Sequence, residues 1–294
     1  MTTLTLALAQ INTRLGDVPA NLEKHLALAA DAHARGADLI VFPELSLTGY
    51  MLQDLAPTVA MRPAADPPAL RRLLEASREL DIVAGFVEDD DAHRLYISSA
   101  YLSQGEVVHI HRKIYLPTYG LFQDGRFFGV GSTARGFTTR FGRMGLLICE
   151  DFWHVSPPYL LWLDGAEMLV CVSASPGRGL AAETGLESAR WVEDISHAYA
   201  QLFSIFVAQT NRVGLEDGLT FWGAASVFAP DGRRLAQGPF FEEAVTLAEI
   251  DLAEVARLRS RLPLLRDERP DLIVRELDRL QRSGSSGGSG HGAT

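Results

Sequence analysis

Cysteine is nearly absent from this chain: Cys149 and Cys171 are the only two in 294 residues. Two thiols cannot build a disulfide framework, and an intracellular thiol is either packing or a reactive group. Lysine is equally scarce. Of 27 basic residues only Lys24 and Lys113 are lysine and the rest are arginine, so each surviving lysine is worth placing. Positive charge is also short overall. A formal net charge of −10 and a pI near 5.3 exclude the basic footprint that nucleic acid or an anionic membrane requires, and leave a small molecule as the expected partner. No stretch approaches the ~20 apolar residues of a membrane span, and Met1-Thr-Thr-Leu-Thr-Leu has no basic leader region. The expectation is a cytoplasmic protein with neither nucleic-acid nor membrane partners.

What is present is an ordinary globular composition, 47% hydrophobic and 22% charged, laid out in repeating units. Leu4, Leu6 and Leu8 alternate as in a strand. Asp17-Val-Pro-Ala-Asn offers a helix cap, Leu22, Leu26, Ala29 and Ala30 fall on one helical face, and Gly36 ends it before the buried run Leu39-Ile-Val-Phe. A second helix is expected over 67–80 and a strand from Ile82. A hairpin is expected with arms 95–102 and 107–111, followed by an aperiodic, aromatic and glycine-rich loop over 113–136. The later half repeats the pattern: strand 144–149, helix 158–163, strand 168–172, helix 186–202 and strand 204–209. Strands over 220–228 and 244–250 are expected to flank the turn Pro230-Asp-Gly-Arg. Alternating β and α units with added hairpins predict an α/β fold of two packed sheets covered by helices. We expect a single domain over 1–282, with a helical or extended arm from about residue 252 whose Leu262-Pro-Leu-Leu packs on a neighbour. The Gly/Ser-rich segment 283–294 is expected to be disordered.

Three strand ends carry reactive side chains. Cys149 closes an apolar run and is followed at once by Glu150, Asp151 and Phe152-Trp-His. A thiol exposed by a turn at a strand end is how a nucleophile reaches a pocket, although buried cysteine is also often inert packing. Cys171, inside Met168-Leu-Val-Cys-Val, reads as core. Glu44 directly follows Leu39-Ile-Val-Phe-Pro, at the mouth of a sheet, where partial burial would raise its basicity; a surface glutamate is the alternative. Lys113 follows a strand in a mostly apolar setting, where a chain this rich in arginine has kept a compact ammonium. Lys24 reads as a surface residue. His109 and His111 share a strand face, but no third ligand follows at a telling spacing, so no metal site is expected. No phosphate-binding glycine loop is present, and Gly129-Val-Gly-Ser-Thr-Ala-Arg-Gly lacks the strand–helix context of a dinucleotide fingerprint.

Together, Phe42-Pro-Glu44-Leu, Arg112-Lys113-Ile-Tyr-Leu-Pro and Leu-Ile-Cys149-Glu-Asp, in that order, resemble the nitrilase (carbon–nitrogen hydrolase) superfamily. Asn211-Arg-Val-Gly and Phe228-Ala-Pro-Asp-Gly are similar to its later landmarks. The post-lysine segment through Tyr119-Gly-Leu-Phe-Gln-Asp-Gly-Arg-Phe-Phe, with Tyr50 after the glutamate, is nearer to the glutaminase domains of glutamine-dependent NAD synthetases. The resemblance implies a four-layer αββα sandwich of two mixed sheets with helices on the outer faces. It implies Glu44, Lys113 and Cys149 as base, electrophilic stabiliser and nucleophile in amide hydrolysis through a thioester, without metal or organic cofactor. Tyr50, Tyr119, Glu150, Ser173 and Ser175 become the expected substrate contacts. Leu121 stands where many superfamily amidases carry a second glutamate, so a mechanism needing that carboxylate is not supported by this position. The expected activity is ammonia release from glutamine or an ω-amide by a free-standing homodimer or larger homo-oligomer, with a separate ammonia-accepting enzyme as an open partner. The alternatives are N-carbamoyl amide hydrolysis, nitrile hydrolysis and a catalytically silent binding protein of the same fold.

Overall fold

The computed structural model describes residues 3–178, 180–181 and 185–285. Its centre is a pair of six-stranded mixed sheets. The first runs in the order Ala244–Asp251, Thr3–Gln10, Leu39–Val41, Asp81–Asp89, Leu95–Ser103, Glu106–Arg112, with parallel pairing confined to the three strands next to the first edge strand. The second runs Arg234–Gln237, Ser226–Phe228, Phe206–Asn211, Met168–Ser173, Gly142–Ile148, Phe137–Thr139, with the same arrangement of a parallel centre and antiparallel flanks.

Strand alternation decides which side chains face what. Leu4, Leu6 and Leu8 join Met144, Leu146, Ile148 and Val170 in one core between the sheets. Ala7, Ala9, Ile40 and Ile82 point the other way, under the helices Val18–Ala34 and Pro68–Ala76. On the far side, Leu147, Leu169 and Cys171 lie under Ser156–Leu163 and Glu187–Phe203. These are the four layers, helix, sheet, sheet, helix. Both faces of each sheet are covered, and truncating one of the fully buried leucines to alanine costs about 2–5 kcal/mol.

The local grammar is visible in the termini of elements. Asp17 accepts the Ala20 N–H at 3.1 Å to cap the first helix. The hairpin turns on Gln104 and Gly105, both at positive φ, as a two-residue turn between right-twisted strands requires.

Four expectations are corrected. Ala30 is exposed, and Asn21 and His25 take buried places on that helix instead. His25 bonds the Asn21 carbonyl at 2.7 Å and Ser46 Oγ at 2.9 Å, and burial lowers its pKa to about 4, so it is a neutral core histidine. The strand expected over 220–228 is two. Gly223 and Ala224 adopt positive φ, which breaks the run into Leu219–Trp222, paired with Val213–Glu216, and Ser226–Phe228 in the second sheet. The strand 244–251 belongs to the first sheet, and the turn at Pro230 is closed by Arg234–Gln237. The arm forms helices Ala253–Arg261, Leu264–Asp267 and Pro270–Ser285. Residues 283–285, expected to be disordered, are therefore helical, and 286–294 lie outside the described residues. No described helix is long and apolar enough to cross a membrane.

Candidate active site

Strand ends from both sheets deliver the residues that follow them to one edge between the sheets. After Leu39–Val41 the chain passes Pro43 and turns at Leu45, which holds φ 49° and so aims Glu44 inward. This turn presses on the neighbouring strand at Gly85, where any Cβ would strike the Leu45 nitrogen and the Pro43 carbonyl. Lys113 follows Glu106–Arg112, and its backbone is crossed at Gly131, where a Cβ would collide with the Arg112 carbonyl. Cys149 follows Gly142–Ile148 and takes φ 47°. A left-handed conformation is unfavourable for a residue with a Cβ, and it ends the strand abruptly so that the thiol leaves the sheet's regular alternation.

Glu44, Lys113 and Cys149 are all buried, at 2%, 1% and 6% exposure. Lys113 Nζ donates at 2.7 Å to Glu44 Oε1 and at 2.7 Å to Asp124 Oδ2. An ammonium has three protons, and among the described residues the third has no acceptor. Glu44 Oε2 accepts the Ala174 N–H from the second sheet at 2.8 Å. The thiol of Cys149 lies 3.7 Å from Ser175 Oγ.

The electrostatics follow from burial. Desolvation raises the Glu44 carboxyl above its usual range, against the pull of Lys113 and with the push of Asp124. For Lys113 burial disfavours the ammonium, but Asp124 and then Glu44 outweigh it, so its pKa lies well above that of a free lysine. Burial and then Glu44 push the Cys149 thiol well upward, with Lys113 opposing. The resting group is thus a thiol beside a carboxylate of raised basicity and a permanent cation. Such an arrangement can move a proton from sulfur to carboxylate as the sulfur attacks an electrophile.

Asp124 is the residue that the sequence reading missed. It lies in the aperiodic loop, opening the single helical turn Asp124–Phe127, eleven residues after the lysine. Glu150, expected as a substrate contact, makes no bond to Lys113, whose partners are Glu44 and Asp124. Its carboxylate accepts the Tyr119 hydroxyl at 3.0 and 3.1 Å. Asp151 is fully buried and holds the frame. It accepts from His111 Nε2 at 2.8 Å, from the N–H groups of Ile114 and Tyr115 at 2.9 Å each, and from Ile148 N–H at 3.2 Å. It thereby fastens the segment after Lys113 to the strand that carries Cys149.

The expected substrate contacts separate. Tyr50 is buried and donates its hydroxyl to Asp124 Oδ1 at 2.9 Å, so it braces the charge cluster. Tyr119 is half exposed on the rim of a cavity of about 290 Å³ lined also by Trp153, Arg178, Glu187, Ser188 and Trp191; Glu44, Lys113 and Cys149 do not line it. Ser175 faces Cys149 and its backbone is gripped by Asn211, which accepts the Ser175 N–H at 2.7 Å and donates to its carbonyl at 3.2 Å. Ser173 points away, with its hydroxyl 3.7 Å from the core thiol of Cys171. Among the described residues no group of three potential metal ligands occurs.

The family model described as carbon-nitrogen hydrolase matches residues 5–260. The chain is 30% identical over 295 residues to a glutamine-dependent NAD(+) synthetase of Acinetobacter baylyi, covering 98% of this chain and 52% of that one. It is 28% identical over 271 residues to an N-carbamoylputrescine amidase of Arabidopsis thaliana, covering 87% and 89%. The solved glutamine-dependent NAD+ synthetase of Acinetobacter baumannii superposes with a TM-score of 0.75 at 28% identity, over 85% of this chain and 46% of that one. A carbon-nitrogen hydrolase from Helicobacter pylori G27 superposes with a TM-score of 0.82 at 23% identity, over 94% and 98%, a likeness of fold. The chain spans about half the length of the synthetases it matches.

Proposed function

The chain belongs to the carbon–nitrogen hydrolase family and is a hydrolase of carbon–nitrogen bonds other than peptide bonds, and from that premise we propose that it cleaves a small-molecule amide through a thioester on Cys149. The observation that carries this reading is the Lys113 ammonium held between Glu44 and Asp124 within electrostatic reach of the Cys149 thiol.

Glu44 takes the proton from Sγ as the sulfur adds to the amide carbonyl carbon. Lys113, through the proton that no described residue accepts, and the N–H of Glu150 stabilise the oxyanion that forms. The carbon–nitrogen bond then breaks, Glu44 returns its proton to the leaving nitrogen, and ammonia or an amine departs. Water adds to the thioester while Glu44 removes its proton; the carbon–sulfur bond breaks, the thiol regains a proton and the acid is released.

Glutamine or another ω-amide is the substrate class we favour. The rim sets a carboxylate, Glu150, and a guanidinium, Arg178, around the aromatic rings of Tyr119 and Phe122. One group of each sign suits an amino acid's ammonium and carboxylate. An N-carbamoyl amide is the second reading, favoured by alignment with the Arabidopsis amidase over 89% of that protein's length. The test is ammonia release from glutamine, short ω-amides, carbamoyl compounds and nitriles. Cys149→Ala abolishes turnover and Cys171→Ala retains it if the reading holds; retained turnover in Cys149→Ala overturns it.

A further inference from the structure

One buried carboxylate reaches around both reactive residues. Each oxygen of Asp151 accepts two hydrogen bonds. Oδ1 takes the N–H groups of Ile114 and Tyr115, which have left the sheet after Arg112 and find their acceptor here. Oδ2 takes the N–H of Ile148 and, because a carboxylate only accepts, the Nε2–H of buried His111. Lys113 therefore lies between donors that converge on a single side chain, His111 before it and Ile114 and Tyr115 after it. Cys149 lies inside the other closure, between Ile148 and Asp151 itself, at the head of the short helical segment Cys149–Trp153.

That second closure spans the strained residue. Cys149 holds φ 47°, a conformation that persists in a residue with a Cβ only where its surroundings enforce it. The bond from Ile148 N–H to Asp151 Oδ2, at 3.2 Å, closes directly across it. With two donors on each oxygen, the carboxylate is fixed against rotation.

We propose that Asp151, steadied by His111, is a positioning residue for the reaction: it holds Cys149 in its left-handed conformation and sets the thiol's place relative to the Lys113 ammonium, so that its loss slows attack by sulfur without weakening substrate binding. It acts through the backbone on either side of the two reactive residues, since Lys113 Nζ is bonded to Glu44 and Asp124 and the thiol faces Ser175. A small displacement of a reacting group is enough to cost rate.

Asp151→Asn separates this role from packing, because it keeps the shape and removes one acceptor. With the amide oxygen on Ile114 and Tyr115, the amide NH2 faces His111 and Ile148. His111 can change tautomer and accept from it; the Ile148 N–H cannot and is left against a donor. The substitution releases the Cys149 side and keeps the Lys113 side.

The effect on turnover rests on the amidase reading; the effect on thiol reactivity does not. Both are measured, as kcat and KM for glutamine and short ω-amides and as the rate of Cys149 alkylation by iodoacetamide, read by peptide mass. Asp151→Asn, folded by circular dichroism, is expected to lower kcat and the alkylation rate about 10- to 100-fold, the scale of one hydrogen bond to a charged group, with KM within about twofold of the unaltered protein. His111→Ala, which removes one of the donors and leaves the carboxylate, is expected to lower both rates about three- to tenfold, and His111→Gln, whose side-chain N–H takes the donor's place, to restore them. A lower denaturation midpoint with both rates within about twofold of the unaltered protein would make Asp151 structural only and overturn the proposal. So would a raised KM with both rates unchanged. If no amide is turned over, the amidase reading fails and the alkylation rates still decide the proposal. Should Asp151→Asn fail to fold, the two His111 variants decide it by the same criteria.

Discussion

Two buried cationic clusters sit side by side in this molecule, one built on lysine and the other on arginine. Lys113 places a single atom between Glu44 and Asp124 and keeps one proton without an acceptor among the described residues. Arg212, equally buried, spreads its fork. Nη1 donates to Glu216 Oε2 at 2.8 Å, Nη2 reaches Asn12 Oδ1 and the Thr13 carbonyl at 3.4 and 3.5 Å, and the guanidinium lies 4.4 Å over the Phe221 ring. Glu216 in turn accepts the N–H groups of Tyr50 and Met51 at 2.8 Å each. The guanidinium cluster joins loops and leaves its Nε, closed off by burial, without a partner among the described residues; the ammonium cluster leaves its spare donor on the same atom that meets Glu44 and Asp124. They are linked, because Tyr50 is held by Glu216 through its backbone and braces Asp124 through its hydroxyl. The difference explains why a chain written almost wholly in arginine keeps a lysine here: a planar fork would use its donors on both carboxylates and misplace them relative to the thiol.

Exchanging the cations breaks this comparison most severely. Lys113→Arg preserves charge but is expected to lower kcat by about a thousandfold, the scale of losing an oxyanion donor, with the fold retained by circular dichroism; near-normal kcat would contradict the need for a compact ammonium. Asp124→Asn is expected to cost about 10- to 100-fold, one hydrogen bond to a charged group, and also to move the pH profile. In the proposed mechanism Glu44 must be ionised, so activity is expected to be lost as pH falls through that group's raised pKa. Asp124 contributes to the raising, and its neutralisation shifts the acid limb to lower pH; an unmoved limb would remove Asp124 from the charge network. Arg212→Lys has the smallest effect on chemistry. It is expected to destabilise by about 1–3 kcal/mol through lost hydrogen bonds of the fork, read as a lower denaturation midpoint, while kcat of the folded protein falls less than about tenfold. A larger fall in kcat than in Lys113→Arg would reverse the assignment of holding and reacting clusters.

The reacting cluster was legible in the sequence to the extent that its members end strands. Glu44 and Cys149 each follow an apolar run and Lys113 follows a strand, a signal carried by local periodicity. Asp124 gave no such signal. It lies in a loop whose course is set by tertiary contacts, and only the return of that loop over Lys113 makes it a partner. Ser173 and Ser175 show the limit of proximity in sequence. Two residues apart, one faces the core thiol and the other the active thiol, because the strand's alternation ends between them at Ala174. The strand expected over 220–228 was apolar enough throughout, but Gly223 and Ala224 take backbone conformations that composition does not report. Arg212 and Glu216 are four residues apart, and it is the fold that buries and pairs both.

The central claim, that turnover passes through a covalent thioester on Cys149, is tested most directly by rapid-quench intact mass with peptide mapping during amide turnover. The account predicts an acyl adduct of substrate mass less ammonia, confined to the peptide containing Cys149, absent in Cys149→Ala and never found on Cys171. Sustained ammonia release with no adduct at any time point, or with the acyl group on Cys171, would contradict it.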